Sequence, residues 1–539
     1  MASGTGEFGE GFPTGISRRT VTAAGLSAVA SAGLLGFGAP TASAAPTTGP
    51  SAPRTPEPAP DLPLRKSENI QGDILAGFRK DQQSLLMVSF QEPAAARAWL
   101  RKVLPDVSAT RAVADFNSKF SRARRLAGGI DPSSMSADWT GLSLTYPGLA
   151  LLAGTEPLPD GGADEFRQGA AARASEVGDT GASAPQGWLF GGANTPEVHA
   201  VVTLASDDAG NLRGAIARHR ALAADHAASV VFQQDAATLP GELSGHEHFG
   251  FADGVSQPAV RGFDPAAADG QEALGQPGTR MLPAGAFVLG AGGSRAGAPS
   301  WALDGSFQVV RRLAQDVAGW RSRLGPHLAA LKQAGAAPEE ADEGWLAARL
   351  MGRWPSGTPV SRCPVADVPP APGEAPDNDF TFHDDQDGLT TPLFSHLRKT
   401  NTRAGFAQPG DGSEDFSRSD AHRMIRRGIP YGPLFDDSVP GRGADVPRGL
   451  VFVSYQADLD SQFEFIQRAW VNAPDFPRPQ TGNDPVVGTG GDVSFASPRG
   501  GVALSFKASV RTEGALYAFT PALSTLRDLS EGRLDVRPA

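Results

Sequence analysis

A single cysteine, Cys363, occurs in 539 residues. No intramolecular disulfide can form, and no cysteine-built zinc or iron–sulfur centre can be assembled. Long apolar runs are also missing. The weakly apolar stretch 23–37 falls short of the ~20 residues that a membrane-spanning helix needs, and a mean hydropathy of -0.23 excludes a polytopic membrane protein. Positive charge is in deficit: 48 Lys and Arg stand against 59 Asp and Glu, for a net charge of -11. With no dense Lys/Arg block, binding to nucleic acid is excluded as a main function. There is no Gly-x-Ser-x-Gly elbow, which argues against an α/β-hydrolase. The stretch Gly290-Ala291-Gly292-Gly293-Ser294-Arg295 lacks the Gly-Lys-Ser/Thr of a phosphate-binding loop and reads as a flexible turn.

The N-terminus carries an address. Ser17-Arg18-Arg19 precedes the apolar run, and Ala42-Ser43-Ala44 supplies small residues for cleavage. Residues 1–44 resemble a twin-arginine signal peptide, and residues 45–66, rich in Pro, Ala and Thr, read as a flexible linker. The expected partner is the twin-arginine export machinery. The expected location is extracellular or periplasmic, with no membrane anchor after cleavage.

Beyond residue 66 the chain alternates between strand and helix patterns. Strands are expected at 83–90, 198–206 and 228–234, and helices at 93–103 and 211–224. The second half has similar content. Strands are expected at 306–312, 450–456, 501–510 and 514–521. Helices are expected at 313–332, with a break at Gly325-Pro326, at 459–471, and from 525. This order suits an α+β unit with antiparallel sheets, and two halves of like content hint at duplication. The loops 355–390 and 404–420 are long enough to suggest function.

Two neighbouring segments carry chemistry-bearing residues. His246-Glu247-His248 could place two imidazoles on one face of a strand, where an exported metal hydrolase would bind zinc. Asp253, in Gly250-Phe251-Ala252-Asp253-Gly254, could be an ordinary turn residue or a catalytic acid.

The continuation Val255-Ser256-Gln257-Pro258 resembles the distal-side motif of dye-decolourising peroxidases. Three other segments agree in order. Asn69-Ile70-Gln71-Gly72-Asp73 resembles the family's opening segment, Ser395-His396-Leu397-Arg398 its proximal-histidine segment, and Ile425-Arg426-Arg427-Gly428-Ile429-Pro430 its distal-arginine segment. The likeness runs from about 67 to 535 and is nearer the larger bacterial and fungal members. One departure is Asn401-Thr402-Arg403 where the family often has Asn-Pro-Arg.

The resemblance implies two ferredoxin-like domains of the dimeric α+β barrel-like superfamily, 67–248 and 249–539, the second holding haem. It implies non-covalent haem b, because the Cys-x-x-Cys-His attachment of c-type haem is absent. His396 would be the iron ligand, with Asp484 behind its other ring nitrogen. Asp253 would move the peroxide proton. Arg426, four residues before Pro430, would stabilise the leaving oxygen, with Arg427 as its rival. Arg403 would meet a haem propionate, and Leu450 and Phe452 would wall the distal side. The implied activity is reduction of hydrogen peroxide through a ferryl state, with oxidation of dyes, phenols and related aromatic donors. Tyr431, Tyr455 and Trp354 are candidate electron carriers. The alternative is a haem-binding, iron-releasing protein of the deferrochelatase kind.

Overall fold

In the computed structural model, the described residues are 62–537 apart from 129–130, 133, 159–162, 295–296, 372–373 and 404–415. The expected signal peptide, and the expected linker as far as residue 61, lie outside them. The end of that linker is not free chain. Pro63–Lys66 forms a 3-10 turn, tied down by Leu64 N–H to the Gly262 carbonyl at 3.1 Å and Arg65 Nε–H to the Phe263 carbonyl at 2.8 Å.

The first repeat contains β1 (Gln82–Phe90), α1 (Pro93–Val103), α2 (Thr110–Leu126), β2 (Asp138–Leu144), β3 (Ala200–Ser206), α3 (Ala209–Asp225) and β4 (Ala228–Ala237). Its strands lie in the order β4-β1-β3-β2, all antiparallel. The second contains β5 (Ser306–Gln315), α4 (Val317–Gln333), α5 (Glu343–Met351), α6 (His396–Thr400), β6 (Ile425–Arg426), β7 (Ile429–Tyr431), β8 (Gly449–Gln456) and β9 (Val510–Thr520). Two π-helical turns, Leu459–Glu464 and Ile466–Val471, join β8 towards β9. The order β9-β5-β8-β7 repeats the pattern of the first half, so both halves are ferredoxin-like. The sheets meet edge to edge at one pair, Phe519 with Leu144.

Burial explains the strands. Along β1, Leu85 and Met87 enter one core, while Leu86, Val88 and Phe90 enter another. Successive side chains point to opposite faces, so a strand covered on both sides reads as an unbroken apolar run. In α1, Pro93 opens the helix and Ala96, Trp99, Leu100 and Val103 are buried at helical spacing.

Three expectations about strands and helices change. β5 runs on to Gln315, and α4 passes through Pro326 without a break. Its buried stripe of Val317, Trp320, Leu324, Leu328 and Leu331 spans the proline, so packing outweighs the lost backbone bond. The segment expected as one strand at 501–510 divides instead. Val502–Phe506 pairs with Gly491–Phe495 in a separate hairpin, and β9 begins at Val510. The division expected between 248 and 249 falls inside a bonded loop, where Asp253 N–H meets the Gly245 carbonyl at 2.9 Å and His246 bridges Ala252. No helix among the described residues is long and apolar enough to cross a membrane.

Candidate active site

His396 is the first residue of α6. Its Nδ1 lies 2.7 Å from Asp484 Oδ2. Because a carboxylate only accepts, that nitrogen carries a proton, and in the neutral imidazole Nε2 keeps its lone pair. Asp484 is fully buried. Its Oδ1 accepts the N–H groups of Val486 at 2.8 Å and Val487 at 3.2 Å, and its own N–H donates to the Val471 carbonyl at 2.9 Å. The carboxylate is therefore anchored at both oxygens, and the imidazole inherits that fixed orientation. His396 Nε2 has no partner among the described residues, and the ring lines a cavity of about 920 Å³.

Asp253, Arg426, Gly428, Leu450 and Phe452 line the same cavity. A Cβ at Gly428 would sit 3.5 Å from both Asp253 Oδ2 and Leu450 Cδ2, so three distant segments converge on one point. Asp253 Oδ1 accepts Gly254 N–H at 2.6 Å. The side chain of Gln257 brackets the backbone of Arg426, accepting its N–H and donating to its carbonyl, both at 3.1 Å. Arg426 Nη2 donates to the Ser256 carbonyl at 3.2 Å. No ion pair joins Asp253 to Arg426. Arg427 points the other way, donating to the carbonyls of Asp73, Ile74 and Leu75 at 2.8–3.1 Å. Neighbouring residues on extended backbone face opposite sides, which separates the two arginines. The same alternation turns Leu450 and Phe452 into the cavity and Val451 and Val453 into a core.

Several expected residues are not brought to this cavity. Arg403 is buried with its guanidinium stacked 3.8 Å from the Phe380 ring centroid and donating to the Asn378 carbonyl at 2.8 Å. Its backbone φ is 52°, at the point where the chain departs from Asn-Pro-Arg. Arg353 and Arg423 line the cavity in its place. His248 is buried against the Tyr431 carbonyl at 2.9 Å and its pKa is pushed down to about 4 by burial. His246 is turned towards the carbonyl of Ser244, and no group of three metal-ligating side chains occurs among the described residues. This removes the basis of the zinc hydrolase reading. Tyr431, Tyr455 and Trp354 are all buried and none lines the cavity.

Sequence reasoning also missed residues. Arg353 is a buried cation and Arg423 a half-buried one on the wall, each with its pKa lowered to about 10 by loss of water around the guanidinium. Glu247, seen only as part of a histidine pair, lines the cavity too. Its type and position next to Asp253 were visible, but its direction was not.

The cavity suits haem. An imidazole with a free Nε2 stands on one side. Leu397, Met351, Leu450, Phe452, Phe463 and Ile466 give apolar walls, and the arginines supply partners for propionates.

The architecture is that of a dimeric α+β barrel peroxidase. Residues 69–237 match the domain described as the DyP dimeric alpha+beta barrel domain. A dye-decolorizing peroxidase of Mycena epipterygia is 32% identical over 484 residues, covering 82% of this chain and 84% of its own. The multifunctional dye peroxidase of an Amycolatopsis species is 27% identical, covering 86% of this chain and 95% of its own. An ancestral D-type dye-decolorizing peroxidase structure superposes with a TM-score of 0.73 at 30% identity, covering 87% of this chain and all of its own. The Auricularia auricula-judae enzyme gives 0.71 at 28%, covering 86% of this chain and 99% of its own. The chain belongs to the dye-decolourising peroxidase family and is a peroxidase.

Proposed function

We propose that this peroxidase binds haem b without covalent links, uses hydrogen peroxide as oxidant, and oxidises dyes, phenols and related aromatic donors. We propose further that it is exported by the twin-arginine route before it acts. The observation that carries the reading is one cavity with a carboxylate-backed imidazole on one wall and Asp253 with Arg426 on another. Cys363 does not line that cavity. A solved relative in complex with 2,6-dimethoxyphenol supports a phenolic donor.

His396 Nε2 would ligate the iron, while Asp484 fixes the tautomer and makes the ring a stronger donor. Arg353 and Arg423 would hold the propionates in place of Arg403. When bound, haem supplies the two-electron reduction of peroxide, and donors return those electrons singly. Asp253 Oδ2 takes the proton from one peroxide oxygen and delivers it to the other. Arg426 holds positive charge beside the departing oxygen, its backbone fixed by Gln257. Leu450 and Phe452 line the cavity beside Asp253 and Arg426 and would share that space with bound haem, so bulky dyes would give up electrons from outside it.

The test is an absorption spectrum of hemin-loaded protein, with and without peroxide. Asp253→Asn and Arg426→Leu should each slow the peroxide-dependent spectral change by about 10²–10⁴-fold, and His396→Ala should lose haem. Normal turnover in all three, or release of iron-free porphyrin without dye bleaching, would refute the reading.

A further inference from the structure

Asp253 sits at the foot of a tight loop, and the loop has its own internal clamp. Glu247 N–H donates to the Phe251 carbonyl at 3.0 Å, and Gly250 N–H to the Glu247 carbonyl at 2.9 Å. Gly250 has a φ of 98°, which a side chain would oppose. Inside this turn the Glu247 carboxylate accepts Phe249 N–H at 2.8 Å through Oε2 and Phe251 N–H at 3.0 Å through Oε1. Gln315, the last residue of β5, donates its Nε2 to the same Oε2. The carboxylate thus closes the loop and ties it to the sheet. Phe249 and Phe251 are buried, the former stacked 4.8 Å from Trp320.

We propose that Glu247 is the positioning residue for Asp253, and that its ionised carboxylate holds the Asp253 loop in the working geometry. The proposal rests on the reading of Asp253 given above. A clamp of three donors around one carboxylate is strong only while the group is charged. Burial, with Asp253 acting in the same direction, raises the Glu247 pKa to about 7. From β5 the facing group is neutral Gln315. On the loop itself, His248 is turned to the Tyr431 carbonyl and kept neutral, beside Arg448. No ion pair reaches Glu247 among the described residues. Below about pH 7 the carboxyl takes a proton. The loop stays closed, since burial disfavours the charged form, but the pull of two charged oxygens on the N–H groups of Phe249 and Phe251 relaxes. Gln315 Oε1, buried without a partner, can accept the new O–H after the amide turns over, so the neutral form has a resting arrangement of its own.

The peroxide step therefore has a limb near neutrality that belongs to Glu247. In hemin-loaded protein, Glu247→Gln keeps the size but loses one acceptor oxygen and the titration. Its peroxide-dependent spectral rate should be about tenfold below wild type at pH 8 and equal to it at pH 5.5. Hydrogen exchange gives a readout independent of activity. After correction for intrinsic rates, the amides of Phe249 and Phe251 should gain protection as pH falls from 7 towards 4.5 in wild type, because the closed loop holds the proton more tightly than an opened one, and show no such change in Glu247→Gln. If that variant fails to fold, Gln315→Leu serves: it removes a bond that favours the charged form, so the limb should move to higher pH. A Glu247→Gln profile matching wild type, or exchange without a transition near pH 7, overturns the proposal. If Asp253→Asn reacts normally with peroxide, the reading of Asp253 fails, while the exchange result still reports on the clamp.

Discussion

Replacing Asp484 by Asn tests how much of the iron ligand is built by its neighbour. The wild-type carboxylate is fully buried, with one oxygen on His396 Nδ1 at 2.7 Å and the other on two backbone N–H groups at 2.8 and 3.2 Å. Asn has nearly the same shape but only one acceptor. If its oxygen stays with Val486 and Val487, its NH₂ faces Nδ1. That nitrogen must then be the acceptor, so the imidazole proton moves to Nε2, where the iron should bind. If the amide turns over, two buried backbone donors face an NH₂ group. Either arrangement forfeits a charge-assisted bond of about 1.5–3 kcal/mol. Loss of such a supporting group typically weakens metal binding by about 10–100-fold. Titration of apoprotein with hemin, followed by absorption, measures the loss directly. Urea unfolding of the apoprotein reports any general loss of stability. An unchanged hemin affinity for Asp484→Asn would refute the account of how His396 is held.

Further outcomes follow from the buried charges and from α4. Arg311 and Asp179 form a buried ion pair, shared with the Thr512 hydroxyl; Asp179→Ala should cost about 3–5 kcal/mol in urea unfolding, because it strands the guanidinium. His219 and His248 have pKa values pushed down to about 4 by burial. Their folded values lie below the ordinary 6.5, so their contribution is complete above pH 6.5 and disappears as pH falls towards 4, by up to about 3 kcal/mol each. Unfolding midpoints across that range should show the loss, and His219→Leu should flatten it. Glu247 has the opposite sign. With its folded pKa raised to about 7, its contribution is complete below the ordinary 4.5 and declines as pH rises to 7. Glu247→Gln should therefore gain on wild type by up to about 3 kcal/mol between pH 4.5 and 8. Pro326 leaves the Ser322 carbonyl without its helical donor inside α4, so Pro326→Ala should raise stability by up to about 3 kcal/mol, read as a higher Tm.

The strands were legible wherever burial is two-sided or alternates cleanly. β1, β3 and β8 each appear in the sequence as compact apolar runs bounded by polar turns. α2 was not legible, because only Thr110, Val113 and Ala114 of its 17 residues are buried; a helix touching the core at one end has no stripe to read. The uninterrupted α4 was missed for another reason. Gly-Pro is a strong local stop signal, and only the tertiary burial of residues on both sides of it shows that the helix continues. Strand order is a long-range property. Composition and period suggested two similar halves, but the order within each, and their meeting at Phe519 and Leu144, depended on the family resemblance and the coordinates.

At the site, residue type and spacing identified positions better than directions. The family pattern gave both Arg403 and Arg426 as cavity residues, and the structure brings only Arg426 there. The difference lies in the backbone. Arg426 sits on extended chain whose alternation sends it one way and Arg427 the other, and Gln257 locks that choice through two bonds to its backbone. The Ser256-Gln257 pair belongs to the distal-side motif, yet its physical task is to build the arginine's seat across 169 residues of sequence. Arg403 is seated elsewhere, its N–H on Asn401 Oδ1 at 3.3 Å and its guanidinium on the Asn378 carbonyl at 2.8 Å and over Phe380, and the last two contacts cannot be seen in Asn401-Thr402-Arg403. Glu247 combines both difficulties. It is an ordinary acidic residue between two histidines, and only the closed turn around it shows three donors converging on one carboxylate. A motif therefore locates the reacting groups, while the groups that hold them must be found by asking where each buried donor ends.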